Sequence, residues 1–504
     1  MDIPSSHTLG ITRYQLFCVL AASLGSVNFG WNMGVTNLPG DYISKCLDGH
    51  RHLIGFLPSC IPASDVIWGI AVGSFALGSL IGAIACTRYS NAYGRKTVLM
   101  YSNVFSIASA FIFAFAVNIA MVIVGRLLVG IAVGAANGTF TTYVVEITTP
   151  KARSSLGSMT QLGIIIGMAI TQLCSLEMLK PPLWRILLAL TGAISLVNIA
   201  VLSLCVESPK WLIMNGQVDK AYETLVRLRR GSDCTAEFEH MVGAVREEMG
   251  LDARSASEMG LDARSASVID VLRGKTPDNL RHQLLVASML MVFQQASGIS
   301  GVSFYSTTLF NTVTSTGDPR RTPTMAQILT CVLSIVGTIV TLVGMSLSVH
   351  FRRRTLLMLS HFAMGVCSVL ISVGSIKGAS ALTIAMVFVY FAAFFIGSGP
   401  IPWVVPSEMT PTYAVAALAA ISGSITYILI FAIGLLFSPL LSALNGYTFL
   451  LFAVANFAAV AFFFVLLPET KGLRVTDVVR VHSVGIHSVL SAKFQVESEY
   501  SEKS

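Results

Sequence analysis

Apolar residues in this chain come in long uninterrupted runs separated by short polar stretches, without the strict alternation of a half-buried strand. Runs of spanning length cover approximately 14–36, 65–87, 97–117, 119–145, 155–176 and 183–205. After a polar interval come 283–310, 326–349, 355–375, 380–405, 415–438 and 447–467. A bilayer core is crossed by roughly 20 apolar residues in helical form, so the pattern predicts twelve membrane helices, six on each side of the interval. Their Gly and Ala content, as in GSFALGSLIGAIA at 73–85, suits helices that approach closely in lipid. A transmembrane barrel would instead show short alternating segments. The expected fold class is an all-α membrane protein.

Composition agrees. Of 504 residues, 54% are hydrophobic and 12% charged, with a mean hydropathy of +0.72, against roughly 25% charge in soluble proteins. The sixty residues from Met409 to Pro468 carry no Asp, Glu, Lys or Arg. This excludes a soluble enzyme, a nucleic-acid-binding domain, a disulfide scaffold and a disordered chain. The formal charge of +7 is no nucleic-acid footprint, because the basic residues sit in short loops. No P-loop or metal-spaced His/Cys cluster occurs, so the sequence calls for no cofactor and no metal. The first run is too long for a signal peptide and lacks its flanks, so it is expected to stay as a helix.

Basic residues set the expected orientation. Loops after even-numbered helices hold Arg88, Arg95, Lys96, Lys151, Arg153, Arg352, Arg353 and Arg354; the opposite loops hold Lys45, Arg51, Lys180, Arg320, Arg321 and Lys377. Eight against six, together with the charge-rich interval 206–282, places that interval and both termini in the cytoplasm. The interval reads as amphipathic helices (AYETLVRLRR at 221–230, FEHMVGAVREEM at 238–249) and contains a tandem repeat, EMGLDARSAS, at 248–257 and 258–267. Two copies are too few for a solenoid; they read as a lengthened surface segment. Of nine cysteines, only Cys46 and Cys60 share an expected external loop, where oxidation is possible.

The two sets of six runs are related. YGRKTVLMYSN at 93–103 aligns with FRRRTLLMLSH at 351–361 at an offset of 258, with five identities. VVEITTP at 144–150 resembles VVPSEMTP at 404–411, setting Glu146 against Glu408, and VESPK at 206–210 resembles PETKG at 468–472, setting Glu207 against Glu469, both at an offset of 262. Parallel six-helix halves are a signature of transporters that bind substrate at the midplane between them. The halves divide as 1–205 and 283–467, with a cytoplasmic linker over 206–282 and a tail over 468–504.

Six motifs in order, GRK at 94–96, GR at 125–126, ESPKWL at 207–212, QQASGIS at 294–300, GPIPWVVPSE at 399–408 and PETKG at 468–472, resemble the sugar porter family of the major facilitator superfamily. FGWNMGVTNLP at 29–39 and QLGIIIGMAITQ at 161–172 are most similar to the facilitative glucose transporters of animals. The resemblance implies a plasma-membrane protein of two pseudo-symmetric six-helix bundles that moves a hexose, its partners being the sugar and the bilayer, with no nucleic acid and no obligate protein partner.

It further implies that Gln161, Gln294, Gln295 and Ser300 bond sugar hydroxyls, that Ile164 lines the apolar side and that Trp403 stacks on a pyranose face. Phe304 and Tyr305 would form an external gate, and GSGPIP at 397–402 a hinge. Arg95, Glu146, Arg153 and Glu207 would meet Arg353, Arg354, Glu408 and Glu469 as a cytoplasmic ion-pair latch when the inner side closes. The chain departs from the family at Ser300 and Gly337, where Asn is usual, at Val349 or His350 and Arg352 after the eighth run, at Val206 before ESPK, and at Val415, which stands where the first half has Arg153.

Proton-coupled members generally oppose an Asp of the first helix to the Arg of the fourth; here the pair is Asn32 and Arg126. No Asp or Glu occurs within 14–36, 66–145, 155–176, 183–206, 283–317, 324–407 or 409–468, and the intramembrane His, His361, lies near the inner end of the ninth run. Proton coupling needs a titratable group near the substrate. The expectation is facilitated diffusion, with proton symport and a non-transporting sugar sensor as alternatives.

Overall fold

A computed structural model describes residues 12–46, 53–54, 57–149, 159–230, 234–246, 268–273, 280–314, 324–410 and 412–469. The tandem repeat at 248–267, Arg153 and the tail beyond 469 lie outside the described residues.

Six helices precede the interval: span 1 (Arg13–Gly34), span 2 (Asp65–Tyr93), span 3 (Arg95–Ala114), span 4 (Ile119–Ile147), span 5 (Met159–Glu177) and span 6 (Leu183–Ser203). Span 7 is two helices, Arg281–Ala296 and Ile299–Thr314. Spans 8 (Met325–His350) and 9 (Arg353–Ile376) follow. Span 10 comprises Ser380–Ala393, a π-helical turn at Phe394–Ser398, and Ile401–Met409. Spans 11 (Thr412–Leu444) and 12 (Thr448–Leu466) meet at a short 3-10 turn, Asn445–Tyr447. Eleven stretches are long and apolar enough to cross a membrane, and the last, Ala417–Leu466, holds both spans 11 and 12, giving the twelve helices expected. The apolar runs understated some lengths: span 11 reaches thirty-three residues, beyond the expected 415–438. Strand structure among the described residues is confined to Leu53–Ile54 paired with Leu57–Pro58, in the loop where Cys46 and Cys60 form a disulfide. The end of the molecule bearing that loop is here the disulfide side; the other, bearing the interval between spans 6 and 7, is the charged side.

Small residues set the packing inside the first half. Gly78 of span 2 faces Gly130 of span 4 so closely that a methyl group on Gly78 would stand 3.0 Å from Gly130 Cα. Between the halves, span 2 lies against span 11, span 5 against span 8 and span 1 against span 7. The largest apolar cluster joins both halves and includes Trp68, Trp184, Phe304 and Phe310 towards the disulfide side. On the charged side, one cluster draws only on the first half and its linker (Cys18 to Leu228), another only on the second (Val286 to Leu467). The state described is sealed on the disulfide side.

The internal repeat is realised in hydrogen bonds. Glu207 Oε1 accepts from the backbone N–H of Arg95 (2.8 Å) and Lys96 (3.0 Å), capping the start of span 3. Glu469 accepts from the N–H of Arg353 (3.0 Å) and Arg354 (3.3 Å), capping span 9. In return, Lys96 Nζ donates to the carbonyls of Ser203 (3.0 Å) and Cys205 (2.7 Å) at the end of span 6. Arg354 likewise donates to Phe463 (3.3 Å) and Phe464 (2.6 Å) near the end of span 12. Anions at helix N-termini and cations at C-termini complement the exposed backbone groups and the helix dipole. Gly94 makes the first cap possible: its φ is +101°, and a methyl group there would collide with the Glu207 carboxylate.

Linker helices divide between the halves. Leu228, at the end of the helix Val218–Leu228, accepts from Thr12 (2.7 Å) before span 1. The buried Arg229 donates to Ile147 O (3.2 Å) at the end of span 4 while pairing with Glu237 (2.7 Å). Val271, in the helix Val268–Arg273, packs with Ala287, Ala417 and Leu418 of the second half.

Candidate functional site

The breaks in spans 7 and 10 bring the sequence-expected polar residues together. Span 7 stops at Ser297 and restarts at Ile299 because Gly298 takes φ +93°, a conformation open to glycine. Just before the break, Gln294 is 2% exposed and Gln295 is also buried. Ser300 Oγ donates to Gln295 Oε1 (2.6 Å), Gln295 Nε2 donates to Gln294 Oε1 (3.2 Å), and Gln294 Nε2 donates to the carbonyls of Ser398 (2.8 Å) and Gly399 (3.0 Å) on span 10. Proline explains the last step. In a continuous helix the Ser398 carbonyl would accept from residue 402, and Pro402 has no N–H; the Gln294 amide supplies the missing donor.

Across the halves, Gln161 and Ile164 of span 5 are half-buried, and Gln161 makes no side-chain hydrogen bond among the described residues. Ile164 packs on the large apolar cluster. Trp403, past the break in span 10, is 46% exposed. Gly337, where the family usually has Asn, makes room for aromatic packing: a methyl group there would stand 2.7 Å from the Phe391 ring and 3.1 Å from Ile165 Cδ1. Gln294, Gln295 and Ser300 thus form one connected chain, and Gln161 and Trp403 keep accessible surface. All these groups are neutral, so the arrangement offers hydrogen bonds and an aromatic face, the chemistry of a polyhydroxylated, uncharged ligand.

Phe304 and Tyr305 are buried in the sealed side. Tyr305, at a kink with φ −130° and ψ 21°, donates to Gly434 O (2.7 Å) and stacks on Phe437 at 5.7 Å. Asn37, not singled out from the sequence although it lies in the motif at 29–39, bridges the halves. Its Nδ2 donates to Ser303 O (3.1 Å) and Ser306 Oγ (2.7 Å), and its Oδ1 accepts from Thr307 N (3.2 Å). Such bonds contribute about 1 kcal/mol each, so Asn37→Ala should loosen the seal by about 3 kcal/mol. An impermeant thiol reagent added on the disulfide side should then label a Thr308→Cys reporter at least fivefold faster than in the Asn37 background.

The charges expected to latch across the halves are engaged differently in this state. Arg95 pairs with Glu146 of its own half, Nε to Oε2 at 2.9 Å and Nη2 to Oε1 at 3.0 Å, while Glu207 and Glu469 cap spans 3 and 9. Glu408 lies in the helix Ile401–Met409 at the place corresponding to Glu146. The described bonds of Arg95, Glu146, Glu207 and Glu469 brace each half, and backbone N–H groups at a helix start are ready-made partners for a nearby carboxylate.

Deep in the first half, Arg126 is fully buried. Its Nη1 donates to Asn32 O (2.6 Å) and Nη2 to Val72 O (3.1 Å), and the guanidinium lies 4.8 Å from the Phe75 ring centroid. The Asn32 side chain turns away to Asn28 (2.9 and 3.0 Å) and Thr191 (2.9 Å). The second half's buried His361 meets Asn456 at 2.8 Å. Arg126 is thus ligated by neutral carbonyls and an aromatic face, with no carboxylate among these partners.

A family model described as "Sugar (and other) transporter" matches residues 18–481. The mouse facilitated glucose transporter member 3 of solute carrier family 2 is 30% identical over 496 residues, covering 95% of both chains. The human member 14 is 29% identical over 500 residues, covering 95% of this chain and 90% of that one. Among solved structures, the partially occluded inward-open xylose transporter XylE from E. coli superposes with a TM-score of 0.74 at 20% identity, over 92% of this chain and all of that one. The proton:xylose symporter XylE bound to 6-bromo-6-deoxy-D-glucose also gives a TM-score of 0.74 at 20% identity, over 93% and 99%; at this identity the likeness establishes the major facilitator fold. The twelve helices, the repeated caps and a family match spanning both halves make this chain a member of the sugar transporter family.

Proposed function

We propose that the protein is a facilitative hexose transporter that takes glucose, a uniporter working by alternating access at the plasma membrane, with the charged side and both termini in the cytoplasm. The observation that carries the uniport reading is Arg126: the buried cation is held by the carbonyls of Asn32 and Val72, where proton coupling would call for a carboxylate able to gain and lose a proton. Glucose as substrate is supported by the relatives named as facilitated glucose transporters.

In this reading the halves 1–205 and 283–467 rock about a sugar bound by Gln161, Gln294, Gln295 and Ser300, with Ile164 and Trp403 against its apolar faces. Linker 206–282 would be shared between the halves, and tail 468–504 would remain cytoplasmic. Phe304 and Tyr305 close the outer side. The charges at Arg95, Glu146, Glu207, Arg353, Arg354 and Glu469 brace each half in this state; together with Arg153 and Glu408 they would regroup across the gap when the inner side closes, biasing a two-state equilibrium.

A competition panel tests this reading. Purified protein in proteoliposomes takes up labelled D-glucose, challenged with unlabelled hexoses, pentoses and polyols. Saturable D-glucose uptake, inhibited by D-glucose and not by L-glucose, is expected. Stereospecific binding without flux would replace the transporter by a sensor.

A further inference from the structure

The breaks in spans 7 and 10 hold each other. Gln294, one turn before the break in span 7, donates to the Ser398 and Gly399 carbonyls at the break in span 10. Tyr390, two turns before that break, is fully buried and returns the favour: its hydroxyl donates to the Ser297 carbonyl, at the break in span 7, at 2.6 Å. Each break strands backbone carbonyls, and unpaired carbonyls in a membrane interior are unfavourable by several kcal/mol. Each helix therefore supplies the donor that the other lacks. Span 10 is further tied to span 9 through Ser360, whose Oγ lies 2.7 Å from both Ala393 O and Ser398 Oγ. The Gln294 amide is also the group that the hexose reading assigns to the sugar, so it has two claimants.

We propose that Gln294 and Tyr390 form a reciprocal clamp that makes the two breaks move as one, and that a sugar hydroxyl opens it by drawing the Gln294 amide away from the span 10 carbonyls. Tyr390 is then a positioning residue that never touches the sugar. The released Ser398 carbonyl has no backbone donor to return to, because residue 402 is proline, and span 10 is free to bend at Gly399–Pro400. Sugar binding and helix motion are coupled through one amide. The inference rests on the hexose-transport reading and deepens it.

Two substitutions pull binding and turnover apart. Tyr390→Phe removes one hydroxyl and no sugar contact. Pro402→Ala restores a backbone N–H to Ser398, making the Gln294 bond dispensable and leaving the amide free for sugar. Kd for D-glucose is read by quenching of intrinsic tryptophan fluorescence in the full-length protein, and turnover by labelled-glucose exchange in proteoliposomes. Tyr390→Phe should keep Kd within twofold and lower turnover at least fivefold. Pro402→Ala should tighten Kd at least threefold while lowering turnover at least fivefold, a split that a general packing defect would not produce. Wild-type turnover in both variants, or an unchanged or weakened Kd in Pro402→Ala, overturns the clamp. If Tyr390→Phe yields no folded protein, Pro402→Ala decides alone. A wild-type protein that neither binds nor carries glucose overturns the transport reading and the clamp with it, whereas normal wild-type transport beside unaltered variants overturns the clamp only.

Discussion

Gly69→Leu is expected to stop net sugar flux while leaving sugar binding intact. Gly69 sits where span 2 meets span 11 in the sealed state, and a methyl group there would stand 3.0 Å from Leu435 O, 3.2 Å from Leu435 Cα and 3.4 Å from Gly434 O. All three are backbone atoms, which cannot swing aside as a side chain can. A leucine adds three further carbons to that space, and overpacking of this kind is unfavourable by typically 1–3 kcal/mol. The strain falls on the sealed state alone, so it shifts the equilibrium by about 5- to 150-fold toward states open on the disulfide side. A transporter that cannot close one side cannot complete its cycle. Labelled-glucose uptake by Gly69→Leu in proteoliposomes should fall at least tenfold, with Kd from tryptophan quenching within threefold of the wild type. Uptake at the wild-type rate would show that closure between spans 2 and 11 is not part of the cycle.

Trp403→Ala should weaken glucose binding and uptake together. Trp403 is half-exposed in a helix otherwise buried at Ile401 and Val405, so the fold draws little on its ring and the variant should reach the membrane in normal amount. A pyranose face laid on the indole would cover about 100 Å² of apolar surface, worth about 2–3 kcal/mol, or roughly 30- to 150-fold in affinity. Trp403→Phe, which keeps a smaller aromatic plane, should fall between. Unchanged saturable uptake in Trp403→Ala, at matched surface expression, would remove this residue from the site.

Much of the architecture was readable because lipid imposes a simple rule. Apolar runs of spanning length must be helices, and twelve were visible. Two of the three repeat matches between the halves reappear as matched caps, Glu207 on span 3 and Glu469 on span 9. What the repeat did not disclose was the partner. Alignment pairs Glu207 with Glu469 by position, and a cross-half latch is expected when the inner side closes; in the state described both carboxylates accept from backbone N–H groups at the start of a helix, partners that carry no side-chain signature. The break in span 7 hid inside a continuous apolar run, since Gly298 interrupts the backbone without interrupting hydrophobicity. The π turn at Phe394–Ser398 is a matter of hydrogen-bond register and leaves no periodic trace.

The candidate site was legible to a comparable depth. Gln294, Gln295 and Ser300 share one motif and form one chain of bonds, but nothing in that motif signals the engagement of Gln294 with span 10. That partnership follows from Pro402, four residues past Ser398 on another helix. Asn37 stood inside a quoted motif with nothing to distinguish it from its neighbours; only the approach of span 1 to span 7 shows it joining the halves. At Gly337 the expected polar side chain is missing, and Phe391 and Ile165 fill its place, a substitution of packing for polarity that a single sequence does not predict.

The central claim is that sugar moves downhill with no proton coupled to it, and imposed gradients test it most directly. Proteoliposomes containing the purified protein are loaded at equal pH, or with the interior made one unit more alkaline or more acidic, and uptake of labelled D-glucose is followed to its plateau with and without a proton uncoupler. A neutral ligand set around Arg126 predicts that internal glucose levels off at the external concentration in every condition and that the uncoupler changes nothing. Accumulation above the external concentration under an inward proton gradient, abolished by the uncoupler, would contradict the account.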